Sequence, residues 1–272
     1  MPELPEVETT RRGIAPALTG QRIVQVTVRE RRLRWPLPRG FEAQVAGCRV
    51  SGVRRRAKYL LVDTDRGTLM IHLGMSGSLR VLDPGVALLA HDHLDLLLES
   101  GRCLRFNDPR RFGSVHWIAD DPAQHPLLAS LGPEPLGPDF DGDYLWTRAR
   151  GRSVAIKLFI MNAAIVVGVG NIYASEALFR AGIRPGTAAG RVSRARMQQL
   201  ATAIREVLAE AITVGGTTLR DYVNAHGTPG YFRQQLFVYE RAGEACRRCG
   251  CPIQHRVQGQ RSTYFCPACQ RP

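Results

Sequence analysis

Two sets of residues in this chain have the types and spacing to do chemistry. The first is the opening Met1-Pro2-Glu3. Pro2 is small enough for the initiator Met to be trimmed, and it would then carry the free α-amine with the Glu3 carboxyl beside it. An α-amino group titrates near ~7.7–8 and a Lys side chain near ~10.4, so the amine offers on the order of a hundred times more free base at neutral pH. A free amine attacks a carbonyl-like carbon and forms a Schiff base. Pro is a secondary amine, so its adduct is an iminium, charged without a proton and able to act as an electron sink. Taken alone the tripeptide is uninformative, since many chains open this way. It gains meaning only if the rest of the chain brings an electrophile to it.

The second set lies at the other end: Cys246-x2-Cys249, sixteen residues, then Cys266-x2-Cys269. This spacing predicts a four-Cys zinc site on a β-hairpin ribbon. Four thiolates leave no open position, so the expected cofactor is one structural zinc ion, which supplies folding energy that a segment this small lacks. The hairpin carries Arg247, Arg248, His255, Arg256 and Arg261, which suit phosphates. Cys251 breaks the pair spacing and reads as a bystander; Cys48 and Cys103 read as core. Seven Cys in this arrangement do not suit a secreted disulfide scaffold.

Charge indicates the partner. Lys plus Arg number 37 against 24 acids, a net charge of +13. That excess favours a polyanion, nucleic acid above all. The bland alternative is a generally solvated basic surface. Clustering speaks against it: Arg29, Arg31, Arg32 and Arg34 form one group, Arg54, Arg55, Arg56 and Lys58 another, and Arg110-Arg111-Phe112 sets an aromatic beside two cations. No apolar run reaches ~18 residues and no basic-then-apolar leader opens the chain, so a soluble cytoplasmic protein is expected.

The 272 residues allow about two domains. Pro5, acids in the first turn, basic residues after them and Gly13 predict a short helix with its N-terminus beside Pro2, where the dipole favours an approaching anion. From about 20 to 118 the period is two, as in Val24, Val26 and Val28 or Leu94, Leu96 and Leu98, which predicts a β-sandwich or barrel. Residues 121–150 are Pro-rich and read as a linker. Helices follow over 151–240. One opens after Gly168-Val169-Gly170-Asn171, a turn that suits a DNA phosphate better than a nucleotide pocket. Another opens at Ser193, carries the apolar stripe Met197, Leu200, Ala201, Ile204, Val207, Leu208, Ala211 and Ile212, and ends at Gly215-Gly216. The fold class is thus α+β and multi-domain: residues 1–120, the linker, 151–240, and the ribbon 241–272.

In their joint order these pieces resemble the formamidopyrimidine-DNA glycosylase family. The motifs that carry the resemblance are MPELPEVETTRRG at the start, RRAKYLL around Lys58, HLGMSGSLR at 72–80, NDPRRFG at 107–113, LGPEPL at 131–136, VVGVGNIYASEALF at 166–179, GGTTLRDYV at 215–223, PGYF at 229–232 and the Cys quartet. The resemblance implies an N-terminal catalytic β-sandwich, a helix–two-turn–helix domain and the zinc ribbon, flanking a DNA cleft. It implies excision of oxidised purines such as 8-oxoguanine from duplex DNA, followed by β- and δ-elimination at the abasic site, by a monomer with no obligate protein partner. Pro2 would attack C1′, Glu3 would protonate the opening sugar, Lys58 would assist proton transfer and bind phosphate, and Arg261 would contact the flanking phosphates and serve the second elimination. Met75, Arg110 and Phe112 would fill the gap in the duplex, with Arg110 facing the orphaned cytosine. His91, Arg152, Lys157 and Asn171 would hold the backbone, and residues 217–231 would close over the extruded base.

The residues themselves leave some alternatives open. Met75 and Phe112, each alone, read as core sooner than as wedges; Phe112 beside Arg110-Arg111 favours the wedge. Lys58 could be a simple phosphate contact, and His72 could bind phosphate or satisfy a core hydrogen bond. Two stretches depart from the family pattern: Met161-Asn162-Ala163-Ala164, where the family has Met-Asp and a polar pair, and Asn224-Ala225-His226 in the closing loop. Two other functions stay in view. One is an oxidised-pyrimidine glycosylase, disfavoured because its branch usually has Gly at the fourth position, here Leu4. The other is a lesion-binding protein without chemistry, which would follow if Met1 is retained. With ~6–10 phosphate contacts, DNA affinity should fall by ~10³–10⁵ between 50 and 200 mM salt in a titration of labelled duplex, whereas a flat response would exclude the basic surface as the binding face.

Overall fold

Strands with apolar residues at alternate positions bury one face each, and the first half of the chain uses this to build two sheets. The computed structural model describes residues 2–216 and 235–272. Helix α1 (Leu4–Leu18) comes first, then β1 (Ile23–Val28), the short helix α2 (Phe41–Val45), and the strands β2 (Val50–Arg56), β3 (Tyr59–Thr64), β4 (Thr68–His72), β5 (Ser78–Leu82), β6 (Asp92–Leu98), β7 (Cys103–Asn107) and β8 (Ser114–Ile118). The strands pair into two four-stranded antiparallel sheets, ordered β1-β6-β7-β5 and β2-β3-β4-β8. Ile23, Leu96 and Phe106 of the first share one apolar cluster with Leu60, Ile71 and Val115 of the second. A sandwich, not a closed barrel, is the result.

Val7, Ile14 and Leu18 of α1 join the same cluster. This explains why the helix runs on past Gly13, where the sequence signals put its end. Gly in a helix costs ~1 kcal/mol, whereas each large aliphatic side chain taken out of water returns ~1.5–3 kcal/mol. Ile14 and Leu18 are fully or almost fully buried, so tertiary packing wins. Pro16 sits in the last turn, and the chain leaves the helix at Gly20, whose φ is +83°. The outer face of the first sheet buries charge instead. Arg105 donates to both oxygens of Asp95 at 2.9 Å, and Arg29 adds a third bond at 2.7 Å. Burial pushes the Asp95 carboxyl up, but those hydrogen bonds outweigh it and hold it below its usual range. Cys48 is buried as expected; Cys103 is only half-buried, because it lies on a strand next to this polar face.

A short helix, α3 (Pro126–Ala129), ends the first compact unit, which also takes in the segment that begins at Val214. The second unit begins at Ser130 and holds α4 (Gly142–Ala149), α5 (Ile156–Ile160), α6 (Asn171–Arg180), α7 (Arg194–Thr213) and the hairpin β9 (Gln254–Gln258) and β10 (Arg261–Phe265). The Pro-rich stretch 121–150 therefore contains helices, and Phe140 and Leu145 in it are fully buried. All eight residues of the apolar stripe on α7 are buried. Among the described residues no helix is long and apolar enough to cross a membrane.

One turn in the sandwich leaves no space for a side chain. Gly74 has φ +65°, and a Cβ there would lie 2.4 Å from the backbone of both Phe112 and Gly113. Gly74→Ala should therefore cost ~1–3 kcal/mol through strain and displace the 110–113 segment. Thermal unfolding reads the cost, and an unchanged midpoint would mean the two loops do not touch.

Candidate functional site

Pro2, Glu3 and Glu6 are all buried at the start of α1, and the two Glu are each 2% exposed. Glu3 is the N-cap, and its backbone N–H donates to Glu6 Oε2 at 2.8 Å. Glu6 was not among the residues singled out from the sequence, although the Glu3-x-x-Glu6 spacing is that of a capping box. Gly216, in the same unit, lies close to it: a Cβ there would sit 3.0 Å from Glu6 Oε1.

Lys58 occupies the tight turn from β2 to β3 with Ala57, whose φ is +55°. The arginines around it are less free than their clustering suggests. Arg54 pairs with Asp63, Arg55 with Glu8, Arg29 with Asp95, Arg31 with Glu42 and Arg32 with Glu30. These partners lie up to 66 residues away, so the sequence groups are not equivalent to a bare cationic patch. His72 has one role fixed. Its Nδ1 accepts the Gly74 N–H at 3.1 Å, which puts the proton of the neutral ring on Nε2 as a donor. Burial first, then Lys58, Arg34 and His116, pull its pKa down to about 4.

The three residues expected to enter the duplex come together on one edge of the sandwich. The Arg110 guanidinium sits 4.9 Å over the Phe112 ring, both side chains are exposed, and Met75 is half-buried in the turn beside them. The fully buried Asp108 holds the two loops. One carboxylate oxygen accepts the Ser76 hydroxyl at 2.7 Å and the other accepts the Gly113 N–H at 2.7 Å. Arg110 N–H donates to Ser76 Oγ at 3.2 Å. Asp108 also meets the His91 loop: its own N–H donates to His91 O, and its carbonyl lies 2.8 Å from His93 Nε2. His91 itself is exposed with φ +70°. Only the acidic position within NDPRRFG could have signalled Asp108.

In the second unit, Arg152 is exposed on a loop held by Gly190, whose N–H donates to Arg152 O at 2.9 Å. Lys157 differs from the expectation that it holds DNA. It is fully buried, and its ammonium donates to Asn171 Oδ1, Ser262 O and Thr263 Oγ1 at 2.7–2.8 Å. An ammonium occupied in this way fixes the first residue of α6 and the start of β10 and has no face left for a phosphate. Arg261 opens β10, exposed, directly after Gly259-Gln260. Both turn residues have positive φ, as a type I′ hairpin requires, and a Cβ on Gly259 would strike Leu158 at 2.9 Å. Glu176 was also missed from the sequence. Burial pushes its carboxyl up, yet it accepts the backbone N–H groups of Phe237, Val238 and Tyr239, each at 2.9 Å, and so anchors the strand of chain that leads into the ribbon.

Cys246, Cys249, Cys266 and Cys269 bring their sulfurs within 4.8 Å of one another. Backbone N–H groups of Arg248 and Cys269 point at Cys246 and Cys266 Sγ at 3.4 Å. Four thiols with N–H donors to sulfur fit a tetrahedral zinc ion. The segment 217–231, expected to close over a base, lies outside the described residues.

Comparison with known proteins gives three family models along the chain. Residues 1–115 match the formamidopyrimidine-DNA glycosylase N-terminal domain, 131–223 its H2TH domain, and 243–272 the zinc finger found in FPG and IleRS. Formamidopyrimidine-DNA glycosylases of Thioalkalivibrio sulfidiphilus and Stutzerimonas stutzeri are 62% and 59% identical over 271 residues, covering all of both chains. Among solved structures, the MutM (FPG) protein of Thermus thermophilus superposes with a TM-score of 0.89 at 41% identity, over 99% of this chain and 98% of that one. Lactococcus lactis Fpg in complex with abasic-site DNA superposes at 0.92 and 34%, over 99% and 100%.

The His72 environment has a pH consequence. An unfolded His binds a proton near pH 6.5 and this one near about 4, so between those values the unfolded chain holds more protons. Stability should fall as pH drops from 6.5 towards 4, and His72→Gln should flatten that part of a urea-unfolding profile. An unaltered slope would show that the ring is not held neutral.

Proposed function

Because the chain belongs to the formamidopyrimidine-DNA glycosylase family and is a base-excision-repair DNA glycosylase, we propose that Pro2, freed by loss of Met1, is its nucleophile. The observation that carries this is the pair of buried carboxyl groups, Glu3 and Glu6, at the helix start beside that residue. The substrate is duplex DNA with an oxidised purine, 8-oxoguanine or a formamidopyrimidine. Solved Lactococcus lactis relatives hold Fapy-dG and abasic-site DNA.

The Pro2 nitrogen attacks C1′, the glycosidic bond breaks with its electron pair leaving on the base, and the Pro2 N–H proton passes to that base. Glu3 gives its proton to the sugar ring oxygen as the ring opens, leaving an iminium between Pro2 and C1′. The iminium draws electrons, so a proton leaves C2′ and the 3′ C–O bond breaks; a second elimination breaks the 5′ C–O bond, and water releases Pro2. Lys58 moves protons and binds phosphate at the β2–β3 turn, and neutral His72 offers its Nε2–H beside it. C1′ is out of reach inside a stacked duplex, so the nucleotide must be extruded at a cost of a few kcal/mol. Met75, Arg110 and Phe112 enter the vacated space and offset that cost.

Arg152, Asn171, His91 and Arg261 hold phosphates. Lys157 positions Asn171 and Arg261 and does not touch DNA itself. The zinc ion, held by Cys246, Cys249, Cys266 and Cys269, contributes folding energy to the ribbon and no chemistry. One copy carries every residue of this set, so the protein acts as a monomer.

Sodium borohydride should trap a covalent complex of wild type with 8-oxoguanine duplex. Pro2→Gly should trap far less, and Glu3→Gln should lose base excision while still trapping a preformed abasic site. Intact mass of active protein should lack Met1. A retained Met1 with binding but no trapped band would instead favour a lesion-binding protein, and faster excision of thymine glycol would favour the pyrimidine branch.

A further inference from the structure

We propose that a groove in the second unit, along α7 and up to the zinc ribbon, is a docking site for a partner protein. Its occupant is an extended peptide segment that carries a carboxylate next to an aromatic side chain. Two hollows make the groove. One, of about 620 Å³, is lined by Arg180, Glu206, Glu210, Phe237, Arg247 and Arg248. The other, of about 520 Å³, is lined by Gln199, Thr202 and the same Arg180 and Glu206, so the two run into each other. All of these residues belong to the second unit. Gln199, Thr202, Glu206 and Glu210 are exposed and recur at helical spacing, on the side of α7 away from its buried stripe. From Gln199 to Glu210 the helix rises about 16 Å, the length of roughly five extended residues.

The ribbon end of the groove has a fixed shape. Phe237 stacks on the fully buried Phe179, with ring centroids 5.3 Å apart and planes 25° apart, and Glu176 accepts its N–H at 2.9 Å. The Arg248 guanidinium lies 4.6 Å over the Phe179 ring, and that of Arg247 lies 5.8 Å over Phe237. The backbone N–H of Arg248 points at Cys246 Sγ, so the metal-binding turn sets the place of this cation. Arg248 is exposed and forms no ion pair among the described residues. A guanidinium already held against an aromatic ring keeps its N–H edge for a planar carboxylate and loses little freedom in meeting one. Phe237 is half-buried, and its ring offers the neighbouring aromatic side chain a surface to pack on.

Further along, the chemistry changes. Arg180 is taken up by both oxygens of Glu210, at 2.7 and 2.5 Å, while Glu206 forms no ion pair among the described residues. Gln199 and Thr202 each present a donor and an acceptor. A nucleic-acid backbone brings acceptors only and repeats its charge at every step, so it would set negative charge against Glu206. A peptide backbone alternates N–H with C=O, which suits Glu206, Thr202 and Gln199, and its acid can be confined to the end over Arg248. The groove also stands apart from the phosphate contact proposed for α6. Asn171 opens that helix, and Phe179 and Arg180 close it, about 13 Å further on. Peptide and duplex are thus held at opposite ends of one helix.

The test pans a displayed library of short random peptides on the full zinc-loaded protein, saturated with a duplex that carries an uncleavable abasic analogue. Retained peptides should share Asp or Glu beside Phe, Tyr or Trp. A labelled synthetic copy should bind, by fluorescence anisotropy, equally well with and without the duplex. Arg248→Ala should weaken it by roughly tenfold, the worth of one charge-assisted contact. Thr202→Trp puts a large side chain into the groove from an exposed helix position; it should abolish peptide binding and leave borohydride trapping at the wild-type level. Peptides with no shared motif, a peptide displaced by the duplex (which would make the groove a DNA surface), or binding unmoved by both variants would overturn the proposal. Peptide binding makes no use of Pro2, so a failure of trapping in wild type would count against the nucleophile and not against the groove.

Discussion

A carboxylate taken out of water must be met by donors inside the protein or it destabilises the fold by several kcal/mol. This chain meets that demand with the very segments that carry its site. Glu6 takes the N–H of Glu3 and fixes the start of α1. Asp108 takes Ser76 and Gly113 and joins the Met75 turn to the Arg110–Phe112 loop. Asp92 takes the Leu89 N–H and Asn107, and so braces the loop that ends in His91. Glu176 takes three successive N–H groups at the approach to the ribbon. In each case a loop that would otherwise sample many conformations is tied to a rigid element by a group that cannot be left unsatisfied. The buried acids give these loops a fixed shape.

The second unit does the same with a cation. Lys157 has no exposed surface, and three oxygens from two distant parts of the chain converge on its ammonium. Asn171 and the residue before Ser262, Arg261, are thereby referred to a single atom. The turn in the Asn162 region behaves differently from an acidic version. Asn162 accepts the Ala164 N–H at 3.0 Å, as an Asp would, and it is exposed. The turn is kept and a negative charge that would repel DNA is absent.

What the sequence made legible was local or strongly patterned. The Cys quartet, the α7 stripe, the two-residue periodicity of the sandwich and the Gly-rich entrance to α6 depend on near neighbours, and they could be seen without coordinates. The end of α1 could not, because burial of Ile14 and Leu18 against the sheets overrides Gly13. The basic clusters pointed to the right kind of partner, but they overstated how many of their arginines are unpaired. Charge is visible in sequence, but pairing is not, and Arg29 finds Asp95 across 66 positions. Lys157 shows the sharpest form of this limit: the family resemblance implied a phosphate contact, and only three-dimensional neighbours reveal an internal brace. Asp108 and Glu176 were passed over because an isolated acid in a basic chain looks like background until its donors are known.

The Lys157 bridge also ties the protein to the hazard it answers. Zinc-bound sulfur is oxidisable, and thiolates carried up the oxidation ladder no longer serve as ligands. A ribbon that came apart would release Ser262 and Thr263 from the ammonium, and with them the register of Asn171. Severe oxidative stress would then both create damaged bases and loosen the start of α6, through a single ammonium that bridges it to the ribbon.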